Sequence, residues 1–396
     1  MTDTEICIVG GGPAGMVAGL LFARAGVRTL VLEKHADFLR DFRGDTVHPS
    51  TLNLFDELGL MDALLARPHD KVEDVEAVIG GKAWRIADFT HLPGRGKFIA
   101  MMPQWEFLDF VVQEARRYPA FALRMETEGV TAIERDGRVT GVRTAQGEEI
   151  EARLVIAADG RGSKLRAGLP LQDLGAPIDV LWFSVPKQRT ADNQTQGYIS
   201  GGEMIVAIDR GDYFQCARVI EKGSAPQLLA RGLDAFRAEV EKVVTPVQGL
   251  MRGLASLDDV KLLSVTLDRL TQWSRPGLLA IGDAAHAMSP VGGVGINLAV
   301  QDAVAAANIL AAPMALGRDP DPLLAKVQAR REFPVGVIQA MQRAVHRTVI
   351  RAALAGTVQK APWPVRLLGS VPLLQRIPAR VLGLGVRREH IRSPKA

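Results

Sequence analysis

The chain has 396 residues, of which 47% are hydrophobic, and a formal net charge of +4 at pH 7. This length accommodates two domains, or one large domain with an insertion. No run of 18 uncharged apolar residues occurs, so we expect no membrane-spanning helix. The two cysteines, Cys7 and Cys216, give neither a disulfide framework nor a metal-site spacing. We therefore predict a metal-free protein of the reducing cytoplasm.

The N-terminal residues have the pattern of a strand, a helix and a second strand. An apolar run at residues 6–9 predicts a buried parallel strand, and residues 14–25 predict a helix that Gly26 ends. Residues 29–32 predict the second strand. Together they form a βαβ unit, which is the framework of a dinucleotide site.

Three glycines lie in the first turn of this unit at the G-x-G-x-x-G spacing. Gly10 permits a tight turn, Gly12 lets a pyrophosphate approach the backbone, and Gly15 lets the helix pack closely on the strand. Pro13 and Ala14 begin the helix, whose N-terminal amides can bind phosphates. The spacing therefore predicts that this turn binds a dinucleotide.

An acidic residue follows the second strand. Glu33 lies 18 residues after Gly15, where it can accept hydrogen bonds from a ribose diol. Because a carboxylate would repel a 2′-phosphate, we do not expect NADP in this site. NAD and the AMP half of FAD both remain.

Two later strands also end in an acid. Residues 154–158 predict a buried strand that leads into Asp159, and residues 278–281 predict another that leads into Asp283. A glycine-rich loop at residues 290–297 and an Ala-rich helix follow the second acid. Since α/β sheets bind ligands at the carboxyl ends of their strands, both acids are candidate site residues. A cofactor with an extended tail and a ring can use both regions.

Alternating apolar and polar residues predict a separate antiparallel sheet in the middle of the chain. We place its strands at residues 179–186, 196–208 and 212–220, and a helix at residues 225–243 follows them. Residues 75–89 predict short strands with a turn at Gly80–Gly81. Residues 43–50 form a loop before a helix, and Gln104 begins another helix. Both are positions from which a side chain can reach a ligand.

The C-terminal part of the chain is basic. Residues 325–396 contain 14 of the 48 Lys and Arg residues but 2 of the 44 Asp and Glu residues. A helix is expected over residues 323–355, interrupted at Pro334, with Arg343, Arg347 and Arg351 on one face. This segment is either a helical cap with a solvated basic face or a peripheral membrane contact through residues 362–386. Nucleic acid is not expected, because aromatic residues are not interleaved with the charges.

Together these stretches resemble the para-hydroxybenzoate-hydroxylase-like flavoprotein monooxygenases, the single-component (class A) aromatic hydroxylases. The resemblance covers about residues 5–310, and three motifs occur in the family's order: the three glycines with Glu33, Asp159–Gly160 with Arg166, and Gly282–Asp283 with Pro290 and the 292–297 loop. It implies an α/β fold in which a Rossmann-like FAD-binding domain is interrupted by an antiparallel β-sheet substrate domain, with a helical C-terminal segment. The expected division is 1–75, 98–175 and 262–312 for the FAD-binding domain, 76–97 and 176–261 for the sheet domain, and 313–396 for the basic helical segment.

The resemblance also implies roles for individual residues. The implied FAD contacts are Glu33 at the adenosine ribose, Arg43 along the cofactor, Gln104 and Asp283 at the ribityl chain, Pro290, and the backbone at Gly293, Gly295, Ile296 and Asn297 beside the flavin N1–C2=O edge. The cofactor-binding residue Asp159, with Gly160, would link the binding of FAD and of NAD(P)H. The predicted catalytic residues are Pro290, whose carbonyl lies near the reacting ring, Arg43 and His48. His48 and His286 are each either structural or a proton shuttle. The predicted substrate pocket contains Trp182, Met204, Phe214 and Met288.

The implied reaction has two halves. NAD(P)H reduces FAD, and reduced FAD takes O2 to a C4a-hydroperoxide that transfers one oxygen to an electron-rich ring. Asp45 stands where the family commonly has a smaller residue. The predicted sheet has no basic cluster that matches the carboxylate anchor of a small benzoate. We therefore predict a larger, more lipophilic phenol, quinone or polyketide-like substrate.

Other functions compete with hydroxylation. A flavin-dependent reductase of an isoprenoid or other unsaturated substrate would share the cofactor site, as would a membrane-surface FAD protein without hydroxylase activity. A halogenase is disfavoured, because the WxWxIP signature is absent and the nearest string is LWFSVPK. Bound yellow flavin would exclude an NAD-dependent dehydrogenase. The sequence indicates neither NADH nor NADPH as the reductant and no oligomeric state.

Overall fold

The structure is a computed structural model that describes residues 4–39, 45–188 and 195–396, so the predicted site residue Arg43 lies outside the described residues. The strands are β1 Ile6–Val9, β2 Thr29–Leu32, β3 Thr46–Val47, β4 Asp70–Val72, β5 Asp74–Ile79, β6 Lys82–Asp88, β7 Ile99–Met101, β8 Phe121–Arg124, β9 Gly129–Arg135, β10 Arg138–Thr144, β11 Glu149–Glu151, β12 Leu154–Ala157, β13 Leu171–Asp173, β14 Ile178–Pro186, β15 Gln196–Ser200, β16 Glu203–Asp209, β17 Tyr213–Glu221, β18 Lys261–Ser264, β19 Asp268–Leu270, β20 Ser274–Arg275, β21 Leu278–Ala280 and β22 His286–Ala287. The helices are α1 Pro13–Arg24, α2 Pro49–Glu57, α3 Met61–Leu65, α4 Gln104–Ala115, α5 Ala225–Leu229, α6 Leu233–Val243, α7 Gly295–Ala315, α8 Asp321–Val345, α9 Arg351–Leu354, α10 Trp363–Ser370 and α11 Pro372–Gly383, with a π-helical segment, His346–Ile350, between α8 and α9.

A six-stranded sheet forms the centre of the first domain, with the strand order β20-β21-β12-β1-β2-β8. Strand β1 pairs in parallel with β12 and with β2, and every residue of these three strands is buried. Continuous burial explains why the sequences of these strands are almost entirely apolar, since helices cover both faces of such a sheet. Cys7 is one of these core residues, and burial raises the pKa of its thiol to about 12. The predicted Rossmann-like domain is confirmed.

A seven-stranded sheet forms the second domain, with the strand order β18-β14-β17-β16-β15-β5-β6. All its pairs are antiparallel except β15 with β5. Alternate residues face opposite sides, and both sides are covered. One face packs on α6 through Phe183 and Phe236, whose rings meet edge to face. The other, called here the inner face, packs on Val291 and on Ile350 at the end of the π-helical segment.

Two predicted elements of this domain are each split in the structure. Residues 196–208 were expected to form one strand, but Gly201 and Gly202 take positive φ and turn the chain into the β15–β16 hairpin. Residues 225–243 were expected to form one helix, but Gly232, at φ +90°, separates α5 from α6. In both places glycine adopts a backbone that other residues rarely adopt.

The edges of the sheet domain differ by a few residues from the expected division. Strand β5 begins at Asp74, and β18, Lys261–Ser264, pairs with β14 inside the seven-stranded sheet. The sheet therefore takes in residues 74–75 and 262–264, which the sequence assigned to the FAD-binding domain.

The predicted interruption at Pro334 is wrong. Helix α8 runs without a break through this residue, which is buried, and its regular geometry changes only at the π-helical segment. Packing of Pro334 in the core offsets the loss of one helical hydrogen bond.

Within the described residues, one helix, Val291–Ala315, is long and apolar enough to cross a membrane, but 83% of its most apolar window is buried in the protein. It is a core helix here.

A buried ion network attaches the C-terminal part of the chain to the first domain. Oδ1 of Asp302, in α7, accepts a hydrogen bond from Arg331 Nε at 2.9 Å. Oδ2 accepts one from Gly282 N at 3.0 Å and lies 2.6 Å from His286 Nε2. Burial alone would raise the pKa of Asp302, but His286 and Arg331 outweigh it and lower the pKa. Arg331 Nη1 also lies 3.5 Å from Glu389 Oε1. His286 is therefore a structural partner of Asp302.

Candidate functional site

The carboxyl ends of four neighbouring strands bring the predicted acids into one row. The strand order β21-β12-β1-β2 places Asp283, Asp159, the Gly10 turn and Glu33 side by side along one edge of the sheet. These residues are far apart in the sequence and were predicted from separate motifs. The structure therefore assembles one site from them.

The first glycine turn has the geometry that its spacing predicts. Gly10 has φ +110°, and a Cβ there would overlap the carbonyl oxygen of Ala158. A Cβ at Gly15 would overlap the carbonyl oxygen of Gly10, so the helix lies directly against the turn. At Gly12, by contrast, a Cβ would meet no described atom within 4 Å, and the φ of −75° suits any residue. Gly12 therefore borders open space into which a ligand can fit.

Two helix N-termini point to this edge without side-chain caps. Neither Gly12 before α1 nor Val294 before α7 caps its helix, and neither first turn contains an acidic residue. The two helices pack on each other, with Gly282 between Ala14 and Ala299. Because the first amides of a helix have no partner inside it, both ends present N–H donors and positive dipole ends to a ligand. This pair suits an extended anionic cofactor better than a single helix start would.

Glu33 is buried, and backbone amides hold both its oxygens. Oε2 accepts a hydrogen bond from Gly11 N at 2.9 Å, and Oε1 accepts one from His35 N at 3.0 Å. These contacts fix the carboxylate beside the glycine turn before any ribose binds. Its predicted role at the adenosine ribose stays a prediction.

The next two strand ends are joined by an arginine that the sequence prediction did not include. Arg161 Nε donates to Asp283 Oδ2 at 3.1 Å, and its Nη2 donates to the carbonyl oxygen of Met288 at 3.2 Å. Asp159 Oδ2 accepts from Lys164 N at 3.2 Å, and burial raises the pKa of this carboxyl. Arg161 therefore places a positive charge beside Asp283 at the ligand edge. The sequence could have indicated this residue, because Arg161 directly follows the Asp159–Gly160 motif at the end of a predicted strand.

The loop that contains His48 packs against the glycine loop before α7. His48 N and Thr51 Oγ1 both donate to Asn297 Oδ1, at 3.0 and 2.7 Å, and Thr46 Oγ1 donates to the carbonyl oxygen of Gly293 at 2.9 Å. The Asn297 side chain thus holds the 46–51 loop in place. Its Nδ2 is buried without a hydrogen-bond partner among the described residues, so the side chain keeps one donor for a ligand.

His48 is completely buried beside Gly293. Its Nδ1 lies 2.8 Å from the carbonyl oxygen of Leu382, and since a carbonyl only accepts, Nδ1 carries the proton. Nε2 is then an acceptor, and it has no hydrogen-bond partner among the described residues. Burial lowers the pKa of His48 to about 4. A neutral imidazole therefore lies beside the glycine loop.

Asp45, which departs from the family pattern, forms an ion pair across the two domains. Its Oδ2 lies 2.6 Å from Arg210 Nη2, and its Oδ1 accepts from the backbone N of Gln104 at 3.3 Å. Arg210 Nε and Nη2 also donate to Gln215 Oε1. Burial raises the pKa of Asp45, although Arg210 opposes the shift. The cluster joins the 45–51 loop and the start of α4 to the β16–β17 turn.

The predicted pocket residues do not all come together. Trp182 and Met204 lie on the inner face of the seven-stranded sheet with Val291, which follows Pro290. Phe214 lies on the opposite face, in the core against α6, because strand alternation turns it away. Met288 is buried in the core of the first domain. Phe214 and Met288 are therefore removed from the pocket, and Trp182 and Met204 stay as candidates.

Comparison with known proteins agrees with this geometry. The FAD-binding-domain family profile matches residues 3–341. The 6-methylpretetramide 4-monooxygenase of Streptomyces rimosus is 32% identical over 320 residues, 78% of this chain and 75% of that protein. Ubiquinone hydroxylase UbiL of Rhodospirillum rubrum is 26% identical over 406 residues, 93% of each chain. The structure of P. aeruginosa PqsL in complex with 2-aminobenzoylacetate superposes with a TM-score of 0.78 at 21% identity, covering 90% of this chain and 100% of PqsL.

The fold and the matched profile define the class: the protein is an FAD-dependent flavoprotein monooxygenase. The chain belongs to the FAD-binding-domain family, whose profile spans most of its length. The named relatives are hydroxylases and monooxygenases, so they do not favour the reductase or the non-enzymatic alternative. Among the described residues, no group of three or more His, Cys, Asp or Glu side chains could hold a metal.

Substitution of two glycines should separate cofactor binding from folding. We expect Gly12→Ala to fold, because the space around its Cβ is open, yet to bind FAD roughly ten- to a hundredfold more weakly, the value of one charge-assisted hydrogen bond. Gly15→Ala should lower the unfolding midpoint of the apoprotein as well, because its Cβ overlaps Gly10. Flavin titration and thermal unfolding of the apoprotein measure both effects. Full flavin affinity in folded Gly12→Ala would contradict the assigned turn.

The buried His48 should make stability depend on pH. Its pKa is about 4 in the folded protein and about 6.5 when unfolded, so its contribution is complete above pH 6.5 and is lost as the pH falls toward 4. Between pH 7 and pH 5 the loss amounts to about 2 kcal/mol. Urea unfolding of His48→Gln should show a pH-dependent loss smaller by that amount. The exposed His91→Gln is the control, and equal losses in both variants would argue against a neutral His48.

Proposed function

We propose that the protein uses NAD(P)H and O2 to hydroxylate a largely apolar aromatic, quinone or polyketide-like substrate on the inner face of the seven-stranded sheet. The observation that carries this proposal is the chemistry of that face. Val180, Val206 and Val219 form an apolar wall with Trp182 and Met204. Val291 of the glycine loop packs against the same wall. A ring held there would lie next to Pro290.

Trp182 gives this wall one polar group. Its indole Nε1 is buried and has no hydrogen-bond partner in the described part of the chain. A buried donor without an acceptor costs free energy, which a substrate oxygen can recover. The combination of an apolar wall and one free donor suits a large ring system that carries a phenol or quinone oxygen. The compounds named in the two relatives, 6-methylpretetramide and ubiquinone, support the same choice.

FAD would occupy the row of strand ends. In this proposal, Glu33 binds the adenosine ribose, the start of α1 binds the pyrophosphate, and Asp283 binds the ribityl chain. The amides at Gly293–Asn297 then face the flavin N1–C2=O edge, where a helix start stabilises the negative charge of the reduced ring. His48 Nε2 and the Pro290 carbonyl lie beside that loop. When bound, FAD supplies the redox chemistry with O2, and the apolar wall keeps water away from it.

The reductant needs no second dinucleotide fold. A single G-x-G-x-x-G turn occurs in the sequence, and FAD takes it, so NAD(P)H would dock transiently. Asp159 belongs to the row of strand ends, and its Oδ2 accepts a hydrogen bond from Lys164 N in the following loop. We propose that it links the two nucleotide sites.

A substrate panel tests the proposed class. Purified protein with FAD and either reduced nicotinamide should oxidise the nicotinamide faster when lipophilic phenols, quinones or polycyclic polyketides are added. Small benzoates should have kcat/KM values lower by at least about a hundredfold, because their carboxylate would enter an apolar site unpaired. Nicotinamide loss, hydrogen peroxide and product are measured together. Turnover confined to small benzoates would overturn the substrate class.

A matched pair of tryptophan variants makes this test specific. Trp182→Phe keeps the ring and removes the donor, so KM for the best panel compound should rise roughly tenfold, the value of one buried hydrogen bond. Trp84→Phe removes another buried indole N–H, beside Gly369 of α10, and should leave KM unchanged. Equal effects of the two variants would remove Trp182 from the site.

We further propose that the C-terminal helices dock on an anionic membrane surface. Five of the eleven large apolar side chains exposed in the described chain lie on or between α10 and α11, namely Trp363, Leu367, Val371, Leu373 and Ile377. Arg366 and Arg376 are exposed among them, and no Asp or Glu occurs between Glu332 and Glu389. Apolar groups interleaved with basic groups match lipid tails and lipid phosphates. The protein would then act on the cytoplasmic side of a membrane.

Vesicle sedimentation tests this surface. The wild type should bind vesicles that contain anionic phospholipid, and Leu373→Ser/Ile377→Ser should bind them at least about tenfold more weakly, since two apolar side chains no longer enter the lipid. Leu262→Ser/Leu316→Ser removes two exposed leucines elsewhere and is the control. If the wild type stays in the supernatant, or if both variants bind like the wild type, the surface does not dock on lipid.

A further inference from the structure

A cleft of about 650 Å³ lies between the seven-stranded sheet and the basic helix, away from the row of strand ends. One wall consists of residues 174–178 before and at the start of β14, and of Glu221 and Lys222 at the end of β17. The opposite wall runs from Arg343 in α8 to Leu354 in α9. A volume of this size is typical of sites for small organic ligands.

Three guanidinium groups line the helical wall. Arg343, Arg347 and Arg351 follow one another at intervals of four residues, and all three border the cleft. None of them forms an ion pair with a described residue, and Arg343 Nε is buried without a hydrogen-bond partner. Over eight residues the helix rises about 12 Å, so the positive charges extend along the cleft. A ligand with several oxyanion groups matches this spacing better than one carboxylate does.

The other charged groups of the cleft do not neutralise these arginines. Lys222 Nζ is already bonded to Asp179 Oδ1 at 2.8 Å and to the carbonyl oxygen of Val265 at 2.7 Å. Glu221, which is exposed, is the one carboxylate among the cleft residues. The three arginines therefore leave a net positive charge. Guanidinium groups bind phosphate oxygens with two parallel hydrogen bonds, which makes phosphate the matching chemistry.

The helical wall is also connected to the loop beside Pro290. His346, which lines the cleft, lies with Nε2 2.9 Å from Ser289 Oγ, while its buried Nδ1 has no partner among the described atoms. Gln342 accepts from Ser289 N at 3.1 Å and donates to the carbonyl oxygens of Ser289 and Val291. The π-helical segment begins at His346, and such segments occur frequently at functional sites.

We propose that this cleft binds a phosphate-bearing ligand, whose phosphate groups pair with Arg343, Arg347 and Arg351. Two sources share this chemistry: the diphosphate of the reduced nicotinamide dinucleotide and the phosphate of a lipid headgroup. Either would be held against the helix that supports Ser289 and Pro290. The binding site itself does not depend on the proposed hydroxylation, although the dinucleotide as a source does.

Titration with inorganic pyrophosphate tests the site directly. Calorimetry on the flavin-loaded protein should detect binding to the wild type, and Arg347→Gln/Arg351→Gln should weaken it at least about tenfold, since two charge-assisted contacts are lost. Both arginines are exposed, so the variant should fold. Arg252→Gln/Arg318→Gln removes the same charge at two exposed positions outside the cleft and should bind pyrophosphate like the wild type. No binding to the wild type, or equal binding to the cleft variant, would overturn the proposal.

Two further measurements on the same variants identify the source. If the dinucleotide occupies the cleft, the cleft variant should have a KM for NADH or NADPH raised at least about tenfold with little change in kcat, as expected for lost ground-state binding. If a lipid headgroup occupies it, the cleft variant should bind vesicles of anionic phospholipid more weakly and keep the wild-type KM. Either outcome supports a phosphate site. The proposal is contradicted if the cleft variant has the wild-type KM, binds vesicles like the wild type and also binds pyrophosphate like the wild type.

Discussion

The buried carboxylate of Asp302 is the interaction on which the arrangement of this protein depends. It holds the Gly282 amide at one end of the ligand row, anchors α7 from inside, and pairs with Arg331 of α8. Removal of one partner from such a buried pair costs about 3–5 kcal/mol, because the remaining charge is then unpaired. Asp302 therefore ties helix α7 and the Gly282 turn to helix α8 of the C-terminal segment.

The reaction site that we propose lies where the two domains meet. The parallel sheet supplies the acids and the uncapped helix starts that suit FAD, while the seven-stranded sheet supplies an apolar wall with the Trp182 donor. The ion pair of Asp45 with Arg210 joins them at one end, and the contact of Val291 with the inner face joins them at the other. A flavin between them would be screened from water on its substrate side, as oxygen transfer requires.

The sequence predicted the parts of the fold that depend on local patterns, and it missed those that depend on distant contacts. The βαβ unit at residues 6–32 was predicted within one residue, because apolar runs and glycine spacing specify it. The pairs Arg161–Asp283 and Asp45–Arg210 were missed, since their members are 122 and 165 residues apart. Phe214 was assigned to the wrong face because both faces of its sheet are covered by apolar residues, so alternation does not show which side meets the cofactor. The breaks at Gly201–Gly202 and at Gly232 were also missed, because packing decides which glycines interrupt a strand or a helix.

The measurement that tests the central claim most directly is the isotopic composition of the product formed under heavy-isotope dioxygen. With FAD, a reduced nicotinamide and a lipophilic phenol or quinone, the product should gain one oxygen atom, and that atom should carry the heavy label. The same reaction in heavy-isotope water with ordinary dioxygen should leave the added atom unlabelled. A product that gains no labelled oxygen, whether reduced or rearranged, would contradict the account.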